Sequence, residues 1–348
     1  MMYHNFYKNK KILVTGGVGS IGSNLVKKLL ALNPAIIRVF DNNETGLFEL
    51  EQELQSEKIR ILLGDIRDKD RLNMAMDEID IVFHTSALKH VPLCEYNPFD
   101  AVKTNVLGTQ NVLESALSNE VEKVINVSTD KAVSPTNVMG ATKLLAERLT
   151  ISANYYSGKN HKTFFSSVRF GNVLNSRGSV IPLFKKQIME GGPVTITDER
   201  MTRFFMKISS ASDLILNAGE IAKGREIFIL KMPALRIADL AEAMIEEYAP
   251  ASGYTPDAIS LKIIGTRNGE KLYEDLMAEE EAERAYERDD MLLIIPQRLS
   301  YEDPLDPAII KGFKKTNKEY FSSQDAPLIK KDELRRILRE LEQGSITR

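Results

Sequence analysis

The stretch KILVTGGVGSIGSNLVKKLL, Lys11 to Leu30, limits the possible folds more than any other part of the chain. Lys11–Thr15 reads as a strand, and Ile21–Leu32 has helical apolar spacing. Between them stand Gly16, Gly19 and Gly22, three residues apart, where the chain must turn tightly. The same rhythm recurs. Apolar runs at Ile36–Phe40, Ile59–Leu63, Ile79–Phe83, Lys123–Val127 and Ser166–Arg169 read as strands, with helical patterns such as Leu47–Leu54 and Asn105–Leu117 between them. Continuous apolar strands separated by helices predict a parallel sheet covered on both faces. Right-handed crossovers then make it a doubly wound, Rossmann-like α/β fold.

Beyond Gly171 the rhythm changes. Strand signals thin out to Val194–Thr197, Glu226–Leu230 and Leu261–Ile264, and the connections grow longer and more charged. The expected division is a dinucleotide-binding domain over 1–171, a mainly substrate-binding lobe over 172–298, and a polar extension with one helix over 299–348, the chain crossing back at points after 171. In that helix Leu334, Ile337, Leu338 and Leu341 form an apolar stripe, suited either to docking on its own subunit or to a contact between copies. A homo-oligomer is expected.

A net charge of −3 gives no general attraction for nucleic acid. The single cysteine, Cys94, excludes an intrachain disulfide and suits a reducing compartment, where it packs as a small apolar residue. The only apolar run near the N-terminus is short and glycine-rich, too short to span a bilayer, so a soluble cytoplasmic protein without a membrane span is expected.

The glycine turn suits a pyrophosphate. Gly16, Gly19, Ser20, Ile21 and Gly22 place backbone N–H groups at a helix N-terminus, where the dipole favours an anion. An acidic residue about twenty positions on completes the dinucleotide pattern, and Asp41 with Asn42 supplies it. Asp41 would bind ribose hydroxyls, and DNNETG carries no Arg or Lys for a 2′-phosphate, so NAD is expected rather than NADP. Asp65 and Ile66 close the third strand where an adenine would lie; Thr85, Ser86 and Ala87 close the fourth near the nicotinamide ribose, and Asn105 is a further cofactor candidate. His84 and His90 lack partners at ligand spacing, and no metal site is expected.

The sharpest question is posed by VSTDKAVSPTNVMGATK, Val127 to Lys143. It closes the fifth strand at the carboxyl edge, where open α/β sheets bind ligands. Met139 and Lys143 are four apart and share one helix face over Val138–Tyr156. This is the spacing of Tyr-x-x-x-Lys with methionine at the tyrosine position. A thioether takes no proton, so Met139 fills volume. Lys143 can reach the nicotinamide ribose. Any proton transfer falls to Asp130 and Lys131, with Ser128 and Thr129 beside them.

Taken together, TGGVGSIGS, GDIRD, HTSALKHVPLCEYNP, KTNVLGTQNV, STDKAVSPTNVMGATK, VRFGNVLNSRGSVIPLF, MTRFFM and GTRNGEKLYEDL resemble the extended short-chain dehydrogenase/reductases, and within them the UDP-N-acetylglucosamine 4,6-dehydratases of polysaccharide biosynthesis, over roughly Lys11 to Leu276. The family includes active members with methionine in place of the tyrosine, and some members carry membrane spans that this chain is expected to lack. The resemblance implies a bound, regenerated NAD and a 4-keto-6-deoxy product. It implies that Asp130 protonates the departing C6 hydroxyl, Lys131 takes the C5 proton and Thr129 bonds the C4 hydroxyl. Lys89 and His90 would approach the substrate, Lys89 the cofactor as well. Asn172, Ser179 and Val180 would line the nucleotide pocket, and Arg203, Arg267 and Glu270 would reach diphosphate, base or ribose; the planar arginine fork matches phosphate oxygens. The rivals are the same reaction on a GDP-linked sugar, a 4-epimerase and a non-catalytic NAD-binding protein.

Overall fold

The computed structural model describes residues 5–157, 163–176, 178–295 and 307–346, with side chains described as far as 342. The chain forms two compact units: Met1–Phe170, Ile208–Lys231 and Leu276–Tyr320 make the first, and Gly171–Lys207, Met232–Asp275 and Phe321–Arg348 the second.

The first unit is built on a ten-stranded sheet. Its opening strands are β1 Lys11–Thr15, β2 Ile36–Asp41, β3 Ile59–Leu63, β4 Ile81–His84, β5 Lys123–Val127 and β6 Phe164–Arg169. They run parallel in the order β3-β2-β1-β4-β5-β6, continued in parallel by Ile227–Leu230. The order reverses between β1 and β4, which creates the switch point at which such sheets bind ligands. Met291–Ile294, Ala285–Glu287 and Lys314–Lys315 extend the sheet antiparallel. One face buries Leu13, Phe40, Val82 and Val124 beneath Leu72, Ala75 and Met76 of the helix Lys69–Met76 and Val112 and Ala116 of Thr109–Ser118. The doubly wound α/β expectation therefore holds.

After residue 171 the chain returns to the first unit twice. Residues 208–231 and 276–320, placed in or beyond the lobe, belong to the first unit. The seventh parallel strand needs a crossover helix, and Ile208–Ile221 supplies it, packing beside the helix Ser20–Ala31. The part of the polar extension at 299–306 lies outside the described residues. Local boundaries shift too. β4 begins at Ile81, because Glu78 has φ of 57° and the Ile79 N–H closes a turn on Met76 O at 3.0 Å. The expected helix from Asn105 opens as a π-helix, Val102–Gly108, before Thr109–Ser118.

The second unit gathers the helices Val180–Met189, Ile237–Tyr248 and Lys331–Ile346 around one core that includes Ile181, Phe184, Leu240 and Met244. Leu334, Ile337 and Leu338 are buried in it, so the C-terminal stripe docks on its own unit. Lys331, Arg335 and Arg339 pair with Glu246 and Glu247 of Ile237–Tyr248, which fixes the helix register.

Candidate active site

The glycine turn has the geometry that a close ligand needs. Gly16 has φ of +68°, and a Cβ there would lie 2.7 Å from the Ser86 backbone nitrogen. Only glycine fits between the first and fourth strand ends. Gly19 caps the helix Ser20–Ala31 with no side-chain hydrogen bond, so no capping side chain covers the N-terminus, where the helix dipole favours an anion. Asp41 ends β2 and accepts from Val18 N at 3.2 Å and Asn43 N at 3.0 Å. These bonds fix the carboxylate beside the turn. Asp65 accepts three bonds from Arg67, one of them from its backbone N–H, and one from Asn42, and the Arg67 guanidinium holds its carboxyl down at about 2. Ile66 is buried just beyond it. An uncapped helix start, a cradle that a Cβ would fill and an acid at the end of β2 fit a dinucleotide.

The segment after β4 is pinned from behind. Asn105, buried in the π-helix, accepts from Leu88 N at 2.8 Å and donates to Leu88 O and to Thr142 Oγ1, both at 3.0 Å. It thereby ties the Ser86–Lys89 strand end to the Val138–Ala153 helix. This makes Asn105 a support for cofactor-side backbone. His84 is buried between Thr15 and Thr109 hydroxyls, at 2.7 and 3.0 Å, and burial with the Lys143 charge pushes its pKa down to about 3. It is a neutral structural bridge. Lys89 and His90 are exposed, and burial with the Lys89 charge lowers the His90 pKa.

At the end of β5 the chain turns through Asp130–Ala132. Asp130 is fully buried, with Oδ1 taking the Thr129 hydroxyl at 2.7 Å and the Lys131 ammonium at 2.9 Å. Its Oδ2, and the neighbouring Ser128 hydroxyl, have no partner among the described residues. A buried carboxylate oxygen without a donor is costly, so the site is shaped for a further proton or hydroxyl. Asp130 and Lys131 thus form an ion pair at the end of β5.

The helix Val138–Ala153 presses directly on this turn. A Cβ on Gly140 would lie 2.3 Å from Lys131 O, so glycine is required at the contact. The sequence reading passed over Gly140; its place between Met139 and Lys143 in the motif was the available signal. Met139 is 3% exposed and packs with Cys94, Ala101, Val91 and Val138. It is a core methionine in the tyrosine position. Lys143 is buried and donates to Val127 O at 2.6 Å, and burial, opposed by Glu147, pushes its pKa down to about 8.

The remaining candidates belong to the second unit. Asn172 opens the short strand Asn172–Val173, and Ser179 caps Val180–Met189 without a side-chain bond, its buried hydroxyl lacking a partner among the described residues. Arg203, a candidate for diphosphate, base or ribose, lies among backbone carbonyls. It is 5% exposed and donates to Thr202 O at 2.7 Å, Leu272 O at 3.0 Å and Lys271 O at 2.7 Å, with Glu270 and Glu274 both 3.9 Å away. Those donors are used in holding the 271–272 segment. Glu270 accepts from Arg267 N at 3.0 Å, while the Arg267 side chain is exposed. Of the two arginines, Arg267 is the one with a guanidinium open to solvent.

A model of the family described as polysaccharide biosynthesis protein matches residues 12–296. A Methanocaldococcus jannaschii protein named only as an uncharacterized membrane protein is 60% identical over 97% of this chain and 97% of its own length. Among the described residues here, no helix is long and apolar enough to cross a membrane. A Campylobacter jejuni protein named UDP-N-acetylglucosamine 4,6-dehydratase (inverting) is 40% identical over 92% of this chain and 95% of its own. A Rickettsia bellii protein named UDP-glucose 4-epimerase is 42% identical over 80% and 81%. The X-ray structure of Pen from Bacillus thuringiensis superimposes with a TM-score of 0.88 at 44% identity, covering 96% of this chain and 98% of that one.

Proposed function

The chain belongs to the polysaccharide biosynthesis protein family, and from that premise we propose that it is an NAD-dependent 4,6-dehydratase acting on UDP-N-acetylglucosamine. The observation that carries this reading is Asp130, fully buried, with one oxygen held by Thr129 and Lys131 and the other without a partner among the described residues. Gly16, Gly19, Ser20, Ile21, Gly22, Asp41, Asn42, Asp65, Ile66, Ser86, Ala87, Lys89 and Lys143 would hold NAD, which when bound supplies a hydride acceptor at C4 and returns that hydride to C6.

The chain's own groups divide the proton work. Thr129 bonds the C4 hydroxyl, and as the C4 hydrogen leaves as hydride the hydroxyl proton passes to Asp130 Oδ2. The C4 ketone acidifies the C5 hydrogen; Lys131 takes that proton, and C5 regains one from the protonated Lys131 when C6 receives the hydride. Asp130 protonates the C6 hydroxyl as it leaves as water. Its Oδ2 is the oxygen for that proton, because Oδ1 is already bonded by two donors. Burial excludes bulk water, which strengthens these charges at the moment of transfer. Asn172, Ser179, Val180, Arg267, Glu270 and His90 would contact the nucleotide sugar, with Arg203 supporting them through the 271–272 backbone.

A 4-epimerase is the second reading, favoured by the name of the Rickettsia relative at comparable identity. The Asp–Lys pair argues against it: elimination needs an acid at the C6 oxygen and a base at C5, and epimerisation at C4 needs neither. The test is incubation with UDP-N-acetylglucosamine deuterated at C4, without added cofactor, followed by mass spectrometry. A product lighter by one water and labelled at C6 is expected. Unchanged mass with C4 inverted would establish the epimerase, turnover of the GDP-linked sugar alone would move the substrate, and label lost to water would sink the dehydratase mechanism.

A further inference from the structure

Behind the Asp–Lys pair lies a second set of charges that this mechanism does not use. Arg169, the last residue of β6, is 1% exposed and is gripped by two carboxylates. Its Nε donates to Glu147 Oε2 at 2.8 Å and its Nη1 to Glu281 Oε2 at 2.7 Å, while Nη2 reaches both acids. Glu147 and Glu281 are 0% and 4% exposed. The triad taken alone carries one excess negative charge, and an uncompensated buried charge is costly.

Lys143 completes the set. It stands one turn before Glu147 on the same helix, so the two side chains share a face. We infer that Glu147 is a positioning residue for the cofactor-side lysine: its buried carboxylate, oriented by Arg169, holds Lys143 in the ammonium form. With Lys143 charged, the four buried groups are neutral overall. With Lys143 deprotonated, they are not. Burial drives the lysine toward the amine, and Glu147 is the charge that opposes this. The other groups facing these residues do not replace it. His84, which faces Lys143 from β4, is neutral. Arg148 and Arg284 act on Glu281 and are partly or largely solvated. Nothing in the resemblance to other proteins assigned Glu147, and its position is legible only once Arg169 and Glu281 are brought together from 112 residues apart.

The inference rests on Lys143 serving the bound cofactor as proposed above, so its test includes a readout independent of turnover. In Glu147→Gln the alkaline limb of kcat/KM should move to lower pH by about one unit, a tenfold change in the lysine's acid constant. Glu281→Gln removes the same formal charge from Arg169 but not from the Lys143 turn, and Glu147→Asp keeps the charge; both should leave the limb in place. An unmoved limb in Glu147→Gln, or equal shifts in Glu147→Gln and Glu281→Gln, would overturn the inference. Thermal unfolding of Glu147→Gln, Lys143→Met and the double variant decides the coupling even in a chain that turns over no nucleotide sugar. The double variant should melt above Glu147→Gln, because it removes a positive and a negative charge together. A double variant no more stable than Glu147→Gln overturns the coupling, whether or not the single variant folds.

Discussion

In the proposed reaction a single carboxylate concentrates the chemistry. Asp130 accepts from both of its sequence neighbours, and Asp130→Asn or Lys131→Ala should each lower turnover by roughly 100-fold or more while nucleotide-sugar binding, measured by calorimetry, survives. Met139 is the contrasting case. It packs with Cys94 and Ala101, so Met139→Leu should keep most of the activity and shift stability by less than about 1.5 kcal/mol, since the swap roughly conserves volume. A large loss of kcat in that variant would give the thioether a chemical role. His84 predicts an acid limit. Its folded pKa lies near 3 against an ordinary 6.5, so the unfolded chain binds the proton that the folded one refuses, and stability falls as pH drops through that window. Going from pH 6.5 to 5 should cost about 2 kcal/mol in urea melts at this residue. His84→Asn should flatten that slope.

At the scale of elements, the site depends on one contact and one peg. The helix Val138–Ala153 meets the Asp130–Ala132 turn where Gly140 leaves no room for a side chain. Gly140→Ala should push the two apart, costing roughly 1–3 kcal/mol of stability and disproportionately more turnover, because the helix carries Lys143 while the turn carries Asp130 and Lys131. Normal activity in that variant would mean that the spacing is slack. The peg is Asn105, presented by the π-helix, where it satisfies both backbone groups of Leu88. A π-helical turn rotates its side chains away from α-helical phase, so the helical pattern read from Asn105 placed an element correctly and its fine geometry incorrectly.

For the whole molecule, the two returns of the chain matter most. The nucleotide motifs lie before residue 171, yet Ile227–Leu230 and Met291–Ile294 complete the first unit's sheet from far downstream. A fragment ending at Phe170 would leave β6 as an apolar edge and Arg169 without Glu281, and it should fail to give a cooperative melt. A stable, NAD-binding fragment would contradict that dependence. The legible part of this protein was the part written locally: the glycine turn, the acid closing β2 and the Asp–Lys pair closing β5 each follow from a strand end and its next few residues, where backbone geometry leaves few choices. The sequence by itself therefore determined the parallel sheet, its carboxyl edge and the residues that stand there. Only the tertiary structure decided that Arg203 spends its donors on carbonyls at 271–272, that His84 is a neutral bridge, that the C-terminal stripe is core, and that Glu147, Arg169 and Glu281 form one buried set. Those outcomes depend on partners distant in sequence, 112 residues in the case of Arg169 and Glu281, and charge pairing leaves no periodicity along a chain.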